Sequence, residues 1–173
     1  MSPHQGRGKG LEAWVASELA AAEAAGLLSH QRQLYPKCRA FRGKLIPAGD
    51  APPDFLAITQ DGWAVYCEAK ETAETRFRLD AVMPHQASDL SALPGSLVVV
   101  RWTESPPLTV ALPWAALGPL WREHAGRTGR AVQGAASLTR AQALELGREV
   151  GTGAQALGWA IVDAARDAAR RVA

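Results

Sequence analysis

The stretch of sequence that decides the fold is PDFLAITQDGWAVYCEAK, residues 53–70. Its β-branched, aromatic and turn-forming residues predict a strand, a turn and a second strand, over residues 54–59, 60–62 and 63–70. A three-residue hairpin loop with glycine in the left-handed position would centre the register on Asp61. The stretch therefore predicts a β-hairpin in which Asp54 stands opposite Glu68.

This hairpin carries two acids and a lysine in the pattern P-D…E-x-K. Because side chains alternate along a strand, Glu68 and Lys70 project from one face, while Ala69 turns away and leaves its carbonyl available. Opposed residues have Cβ atoms ~5 Å apart, so uncompensated carboxylates at Asp54 and Glu68 would repel each other. A divalent cation removes that repulsion, and hard oxygen ligands favour Mg²⁺, for which Mn²⁺ can substitute.

A metal site of this kind is suited to phosphodiester hydrolysis. The metal would polarise the scissile phosphate and lower the pKa of a water, and Lys70 would orient that water or offset the charge of the transition state. The alternative is a surface hairpin with an ordinary Glu and Lys pair, since a pattern this short also arises by chance.

Helices and further strands are predicted on both sides of the hairpin. Residues 11–25 have apolar side chains at helical spacing, and Gly26 is a candidate C-cap. The continuous apolar run 96–102 is typical of a strand that is covered on both faces and central in its sheet. Further predicted elements are a helix from Pro84 to Leu93, a strand over 108–112, a helix over 114–125, a capped helix from Thr139 to Leu146 and an amphipathic C-terminal helix over 153–173.

The composition, 47% hydrophobic and 21% charged residues, is that of an ordinary folded soluble protein. No apolar run approaches the ~20 residues that cross a bilayer, and the polar, glycine-rich residues 1–10 lack a secretory signal, so we expect the cytoplasm. Cys38 and Cys67 are too few for a disulfide scaffold or a cysteine zinc site, and both are expected to be reduced and structural. A Gly-rich phosphate loop and a hydrolase elbow are also absent from the sequence.

A compact basic segment precedes the hairpin. Residues 32–44 contain no Asp or Glu, and Tyr35 and Phe41 are interleaved with the positive charges of Arg32, Lys37, Arg39, Arg42 and Lys44. Together with Arg76 and Arg78 these residues are candidates for contacts with DNA phosphates. The alternative for each of them is a solvated surface, because the net charge of +2 is a weak argument by itself.

Four short motifs resemble the RecU-type Holliday-junction resolvases of the restriction-endonuclease-like, PD-(D/E)XK superfamily. They are Gly8-Lys9-Gly10-Leu11-Glu12, Pro53-Asp54, Glu68-Ala69-Lys70-Glu71-Thr72 and His85-Gln86. The similarity runs from about Gly8 to Trp102 and more loosely from Gly126 to Val150. It implies one α/β nuclease domain over residues 1–173, with a central mixed β-sheet flanked by helices in αβββαβ order.

The resemblance also implies the roles of individual residues. Asp54, Glu68 and the Ala69 carbonyl would bind Mg²⁺, Lys70 would assist catalysis, and Glu12 and Gln86 would complete the site. Helical periodicity alone does not choose between Glu12 and Glu18. His85 is as readily a packing or hydrogen-bonding residue.

For the whole protein the resemblance implies a nucleoid-associated homodimer that makes paired symmetric nicks in four-way DNA junctions. Residues 1–8 would be a flexible N-terminus, and 32–53 a basic segment projecting into the junction. Pro52-Pro53 departs from the hydroxyl residues that the family tends to have there. The alternatives are another nuclease on the same fold that cuts flaps, ends or duplex, a non-catalytic module that binds branched DNA, and a domain that binds no nucleic acid.

Overall fold

The computed structural model describes residues 9–36, 38–41, 44–47, 50–127, 137–151 and 155–172, without the side chains of 38–47, 125–127 and 172. The predicted flexible terminus, residues 1–8, lies outside this description. The helices are α1 (Lys9–Ala24), α2 (Pro84–Ala92), α3 (Trp114–Arg127), α4 (Arg140–Leu146) and α5 (Ala156–Val172), with a 3₁₀ turn at Leu79–Ala81. The strands are β1 (Leu28–Gln33), β2 (Cys38–Phe41), β3 (Lys44–Pro47), β4 (Phe55–Thr59), β5 (Ala64–Thr72), β6 (Arg76–Arg78), β7 (Leu97–Trp102), β8 (Leu108–Pro113), β9 (Ser137–Thr139) and β10 (Arg148–Glu149).

The fold is α/β, with a mixed six-stranded sheet in the order β1-β4-β5-β7-β8-β10 and helices on both faces. The β5–β7 pair is parallel, and the other pairs of this sheet are antiparallel. Strands β2 and β3 form a separate two-stranded hairpin, and β6 pairs with β9. The predicted mixed sheet flanked by helices is therefore confirmed.

The register predicted for the β4–β5 hairpin is confirmed. Phe55 pairs with Cys67 and Ile58 with Ala64, which centres the hairpin on Asp61. Gly62 has a φ of 84°, the left-handed conformation that the predicted turn requires. Since side chains alternate along a strand, this register decides which residues of β5 share a face with Glu68.

The sheet separates two apolar layers, and β7 lies between them. Leu97 and Val99 are fully buried on the side of α1 and α5, and Val98 and Val100 on the side of α2 and α3. The prediction that residues 96–102 form a central strand covered on both faces is confirmed.

The predicted helices are present, with ends that differ by a few residues. α1 ends in a Schellman motif, in which Leu27 N donates to Ala22 O and Gly26 has a φ of 74°. Thr139 caps α4 by accepting a hydrogen bond from Gln142 N, as the capping box predicts. The C-terminal helix begins at Ala156 rather than 153, and no described helix is long and apolar enough to cross a membrane.

Strand β1 was not predicted from the sequence. Its residues, LSHQRQ, are polar apart from Leu28, because β1 is an edge strand with much of its surface exposed. Arg32, which we grouped with the basic segment, therefore belongs to the main sheet. The backbone of the rest of the segment includes the β2–β3 hairpin, and Lys37 and Arg42 lie outside the described residues.

Candidate active site

The centre of the candidate site is on β5, where Glu68 and Lys70 project from the sheet face that α2 covers. Glu68 is 1% exposed, and its Oε1 atom lies 2.7 Å from Lys70 Nζ. Ala69, between them, faces the α1 layer. The predicted alternation therefore brings an acid and a base together on one face of the strand.

Gln86 of α2 lies above this face of the sheet and forms hydrogen bonds with both Glu68 and Lys70. Its Nε2 atom donates to Glu68 Oε1 at 2.6 Å, while its Oε1 atom accepts from Lys70 Nζ at 3.1 Å and from Met83 N at 3.0 Å. The bond from Met83 N also ties the amide to the start of α2, where the first backbone N–H groups lack helical partners. Gln86 is thus held in one orientation and contacts both charged groups of β5.

Asp54 lies directly before β4, where the backbone leaves the sheet. Its N–H donates to Glu68 Oε2 at 3.3 Å, and its Oδ2 atom accepts from Ala69 N at 2.8 Å. The N–H and C=O of one strand residue point to the same side of the strand. The Ala69 carbonyl therefore points toward the side on which Asp54 lies.

Glu12 approaches this cluster from α1, and its Oε2 atom accepts from Gln33 Nε2 at 3.5 Å. Its pKa is raised, first by partial burial and then by the negative charge of Asp54, with Lys9 and Lys70 acting in the opposite direction. Glu18 on the same helix has one carboxylate oxygen that is buried without a hydrogen-bond partner in the described part of the chain. Of the two acids that periodicity left open, the structure associates Glu12 with Asp54.

Burial raises the pKa values of the carboxyl groups of the site, and the charge of Asp54 adds to this effect at Glu68 and Glu12. Burial raises the pKa of Glu68 to about 7, with Asp54 adding to the effect and Lys70 opposing it. The pKa of Asp54 is also raised by burial, against the lowering effects of the Ala69 N–H and Lys70. Three carboxyl groups thus surround one lysine, so that their full ionisation leaves an excess of negative charge.

These donors fit a hard divalent cation. No three of the described His, Cys, Asp and Glu side chains are arranged to hold a metal ion by themselves. Mg²⁺ does not need such a cage, because it keeps several waters and binds through one or two carboxylates plus substrate oxygens. Asp54 and Glu68 provide two carboxylates, and the Ala69 carbonyl provides one more oxygen. The excess negative charge of the site also favours a cation there.

The predicted DNA-binding residues are less closely grouped. Arg32 is exposed on β1. Exposed Arg76 donates to Ser137 Oγ at 2.7 Å, and Arg78 forms an ion pair with Asp80. The side chains of Lys37, Arg39, Arg42 and Lys44 lie outside the described residues, so the structure describes only three of the seven candidates.

His85 and several residues that sequence analysis missed surround the cluster. His85 Nδ1 lies 3.9 Å from Asp50 Oδ1, a separation within the range of an ion pair but too long for a hydrogen bond. Gln33 was missed because the polar sequence of β1 does not predict a strand, and Tyr35 was noted only as an aromatic residue of the basic segment. Tyr35 Oη donates to Gln33 Oε1 at 2.9 Å, so Gln33 links Tyr35 to Glu12 by two hydrogen bonds. Cys67, on the opposite face of β5, is buried and reduced as predicted.

A cavity of about 560 Å³ lies elsewhere, between α2, α3 and α5, and none of the five predicted site residues lines it. Its wall includes the ion pair of Arg148 with Asp163, 2.9 Å apart. The walls carry acids and arginines in equal number together with apolar side chains, which selects no ligand class. The candidate site therefore rests on the cluster around Glu68.

Comparisons with known proteins add no assignment to this geometry. No model of a protein family matches the sequence, and no curated protein matches it significantly.

Proposed function

We propose that this chain is a Mg²⁺-dependent endodeoxyribonuclease with a restriction-endonuclease-like core, and that it acts on four-way DNA junctions as a homodimer. One observation carries the proposal: Glu68 is hydrogen-bonded to the Asp54 N–H and to Gln86, and it pairs with Lys70 two residues further along β5. The succession α1, β1, β4, β5, α2 and β7 supports the αβββαβ core. The junction as substrate rests on the resemblance of the four sequence motifs to RecU-type resolvases.

The reaction proposed is hydrolysis of one phosphodiester bond, in which water adds to phosphorus and the bond to the leaving oxygen breaks. When bound to Asp54, Glu68 and the Ala69 carbonyl, Mg²⁺ supplies positive charge at the phosphate and makes water more acidic. Lys70 is the group that orients the attacking water and offsets the charge that develops on the phosphate oxygens. Its ammonium can do this only when it is held close to the phosphate.

The neighbours of Lys70 hold it there. Gln86 Oε1 and Glu68 Oε1 both accept from the Nζ atom, at 3.1 and 2.7 Å, and Gln86 is itself held by Met83 N. Glu12 adds a further negative charge beside Asp54 and so raises the affinity of the site for a cation. These contacts place the lysine in a fixed position before substrate binds, which lowers the cost of ordering it during the reaction.

The test is cleavage of a labelled synthetic four-way junction beside a linear duplex of matched sequence, in Mg²⁺ and in EDTA. Paired symmetric nicks that need both metal and Lys70 are expected, with Lys70→Ala lowering the rate by roughly 10²–10³-fold. Arg170→Ala is the matched control, because it also removes one positive charge, from an exposed position on α5. Normal cleavage by Lys70→Ala would contradict the assigned role of the lysine.

Two other functions have their own outcomes in the same experiment. A nuclease of the same fold with a different substrate would cut the duplex, or a flap or an end, at least as well as the junction. A non-catalytic module would bind the junction in every metal tested without cutting it. The buried Glu68 and the partly buried Asp54 beside Lys70 argue against that module, because acidic groups repel DNA phosphates unless a cation lies between them.

A further inference from the structure

Tyr35 is the most exposed of the large hydrophobic side chains in the described part of the chain, with 70% of its surface open to solvent. The others are Met83, Leu144 and Trp159. Exposing an aromatic ring of this size is unfavourable in water, and such rings are common where a protein binds a partner. Tyr35 lies two residues beyond the end of β1, inside the basic segment of residues 32–44.

Hydrogen bonds on both sides connect Tyr35 to the catalytic cluster. Its Oη atom donates to Gln33 Oε1 at 2.9 Å, and Gln33 Nε2 donates to Glu12 Oε2 at 3.5 Å. On the backbone, Leu34 N donates to Asp54 O at 2.8 Å. The ring is therefore connected to Glu12 through Gln33, and the backbone just before it is held to Asp54, while most of its surface stays exposed.

We propose that Tyr35 stacks on an unstacked DNA base next to the scissile phosphate, and that it thereby selects branched or single-stranded DNA over intact duplex. This inference rests on the proposed function, since it places the base by the position of the nuclease site. Aromatic rings bind unpaired bases by stacking, and the strength of this interaction depends little on which base is present. In an intact duplex each base is already stacked between its neighbours, so the ring has no base face to contact.

The charges that follow Tyr35 agree with this function. Lys37, Arg39, Arg42 and Lys44 come within nine residues after it, without an intervening acid. Proteins that bind single strands combine such positive charge, which follows the phosphates, with aromatic rings that receive the bases. Two large aromatic side chains in the described part of the chain are exposed, Tyr35 and Trp159, and the hydrogen bonds of Tyr35 lead through Gln33 to Glu12.

The experiment measures binding to a four-way junction with 2-aminopurine at the branch point, using the full chain with Lys70→Ala to prevent cleavage. Stacking of the tyrosine ring on this base is expected to quench its fluorescence. Adding Tyr35→Ala should abolish the quenching and weaken junction binding by roughly 5- to 150-fold, with duplex binding unchanged. Tyr35→Phe keeps the ring and should restore quenching, while Trp159→Ala is the matched aromatic control and should behave like the parent.

Equal quenching and equal junction affinity with and without the Tyr35 ring would overturn the inference, as would an equal loss in Trp159→Ala. Cleavage by the chain with Lys70 intact is measured separately. Junction cleavage without an effect of Tyr35→Ala refutes the inference and leaves the nuclease proposal standing. Quenching that depends on Tyr35 in a protein that never cuts DNA supports the inference on base stacking and refutes the nuclease proposal.

Discussion

Replacing Glu68 by glutamine should reduce the pH dependence of stability that the metal-free protein shows between pH 5 and 8. In the folded protein burial raises the pKa of Glu68 to about 7 from an ordinary value of 4.5. Between these two values the folded state holds a proton that the unfolded state has released. The contribution of Glu68 to the free energy of unfolding is therefore largest below pH 4.5, and it is lost as the pH rises through about 7.

The size of this change in the free energy of unfolding follows from the difference between the two pKa values. Each pH unit in this interval contributes about 1.4 kcal/mol, so Glu68 lowers the free energy of unfolding by roughly 3 kcal/mol from pH 4.5 to pH 8. For a domain of this size that corresponds to a melting temperature lower by roughly 6–12 °C. Asp54 and Glu12, whose pKa values are also raised, change stability in the same direction. Asp80 has a lowered pKa and acts in the opposite direction, at pH values below its ordinary 3.8.

The assay is thermal unfolding in EDTA at pH values from 5 to 8, with wild type, Glu68→Gln and the exposed control Glu145→Gln. Wild type and control should lose stability as the pH rises, and Glu68→Gln should lose clearly less. Adding Mg²⁺ at pH 8 should stabilise the wild type, by about 2.7 kcal/mol at a concentration 100 times the Kd, and Glu68→Gln far less. Parallel pH curves for wild type and Glu68→Gln would refute the reasoning.

Three further predictions concern the fold and the site. Gly158→Ala should lower the free energy of unfolding by roughly 1–3 kcal/mol, because a Cβ there would lie 2.5 Å from Ala22 Cβ of α1. Gly10→Ala has open space around the new methyl group and should stabilise α1 by up to about 1 kcal/mol. The two variants should therefore shift the melting temperature in opposite directions. Thr139→Ala removes the N-cap of α4 and should cost about 1 kcal/mol in chemical denaturation, and no change would mean that the cap is not stabilising. Gln86→Ala should lower Mn²⁺ affinity or cleavage by roughly 10–100-fold while Gln86→Glu changes the pH profile, and full activity of both would exclude the proposed positioning.

Local chemistry made the central part of the fold predictable. The turn at residues 60–62 needs one left-handed residue, Gly62 supplies it, and the register of the β4–β5 pair follows from the loop length. The apolar run of β7 and the capping box of α4 are equally local signals. Each of these predictions depends on residues that are close in the sequence, so it could be made without knowing the contacts between distant segments.

Exposed edges were not predictable in the same way. β1 pairs with β4 through backbone hydrogen bonds, and its polar side chains carry no strand signal. The short strands β6, β9 and β10 likewise depend on partners far away in the sequence. Gln33 was therefore missed and Tyr35 was not assigned to the site, although Gln33 bonds to Glu12 and Tyr35 bonds to Gln33.

The sequence by itself determined that Asp54 stands opposite Glu68, and that Glu68 and Lys70 share one face, since strand alternation and turn chemistry act within eighteen consecutive residues. It left open whether α1 contributes Glu12 or Glu18, because both lie near the apolar arc of that helix. Only the packing of α1 against the sheet brought Glu12 to Asp54, and only the position of α2 brought Gln86 to Lys70. Contacts between separate elements depend on how apolar faces pack in three dimensions, and that packing is decided by the whole chain rather than by any one segment.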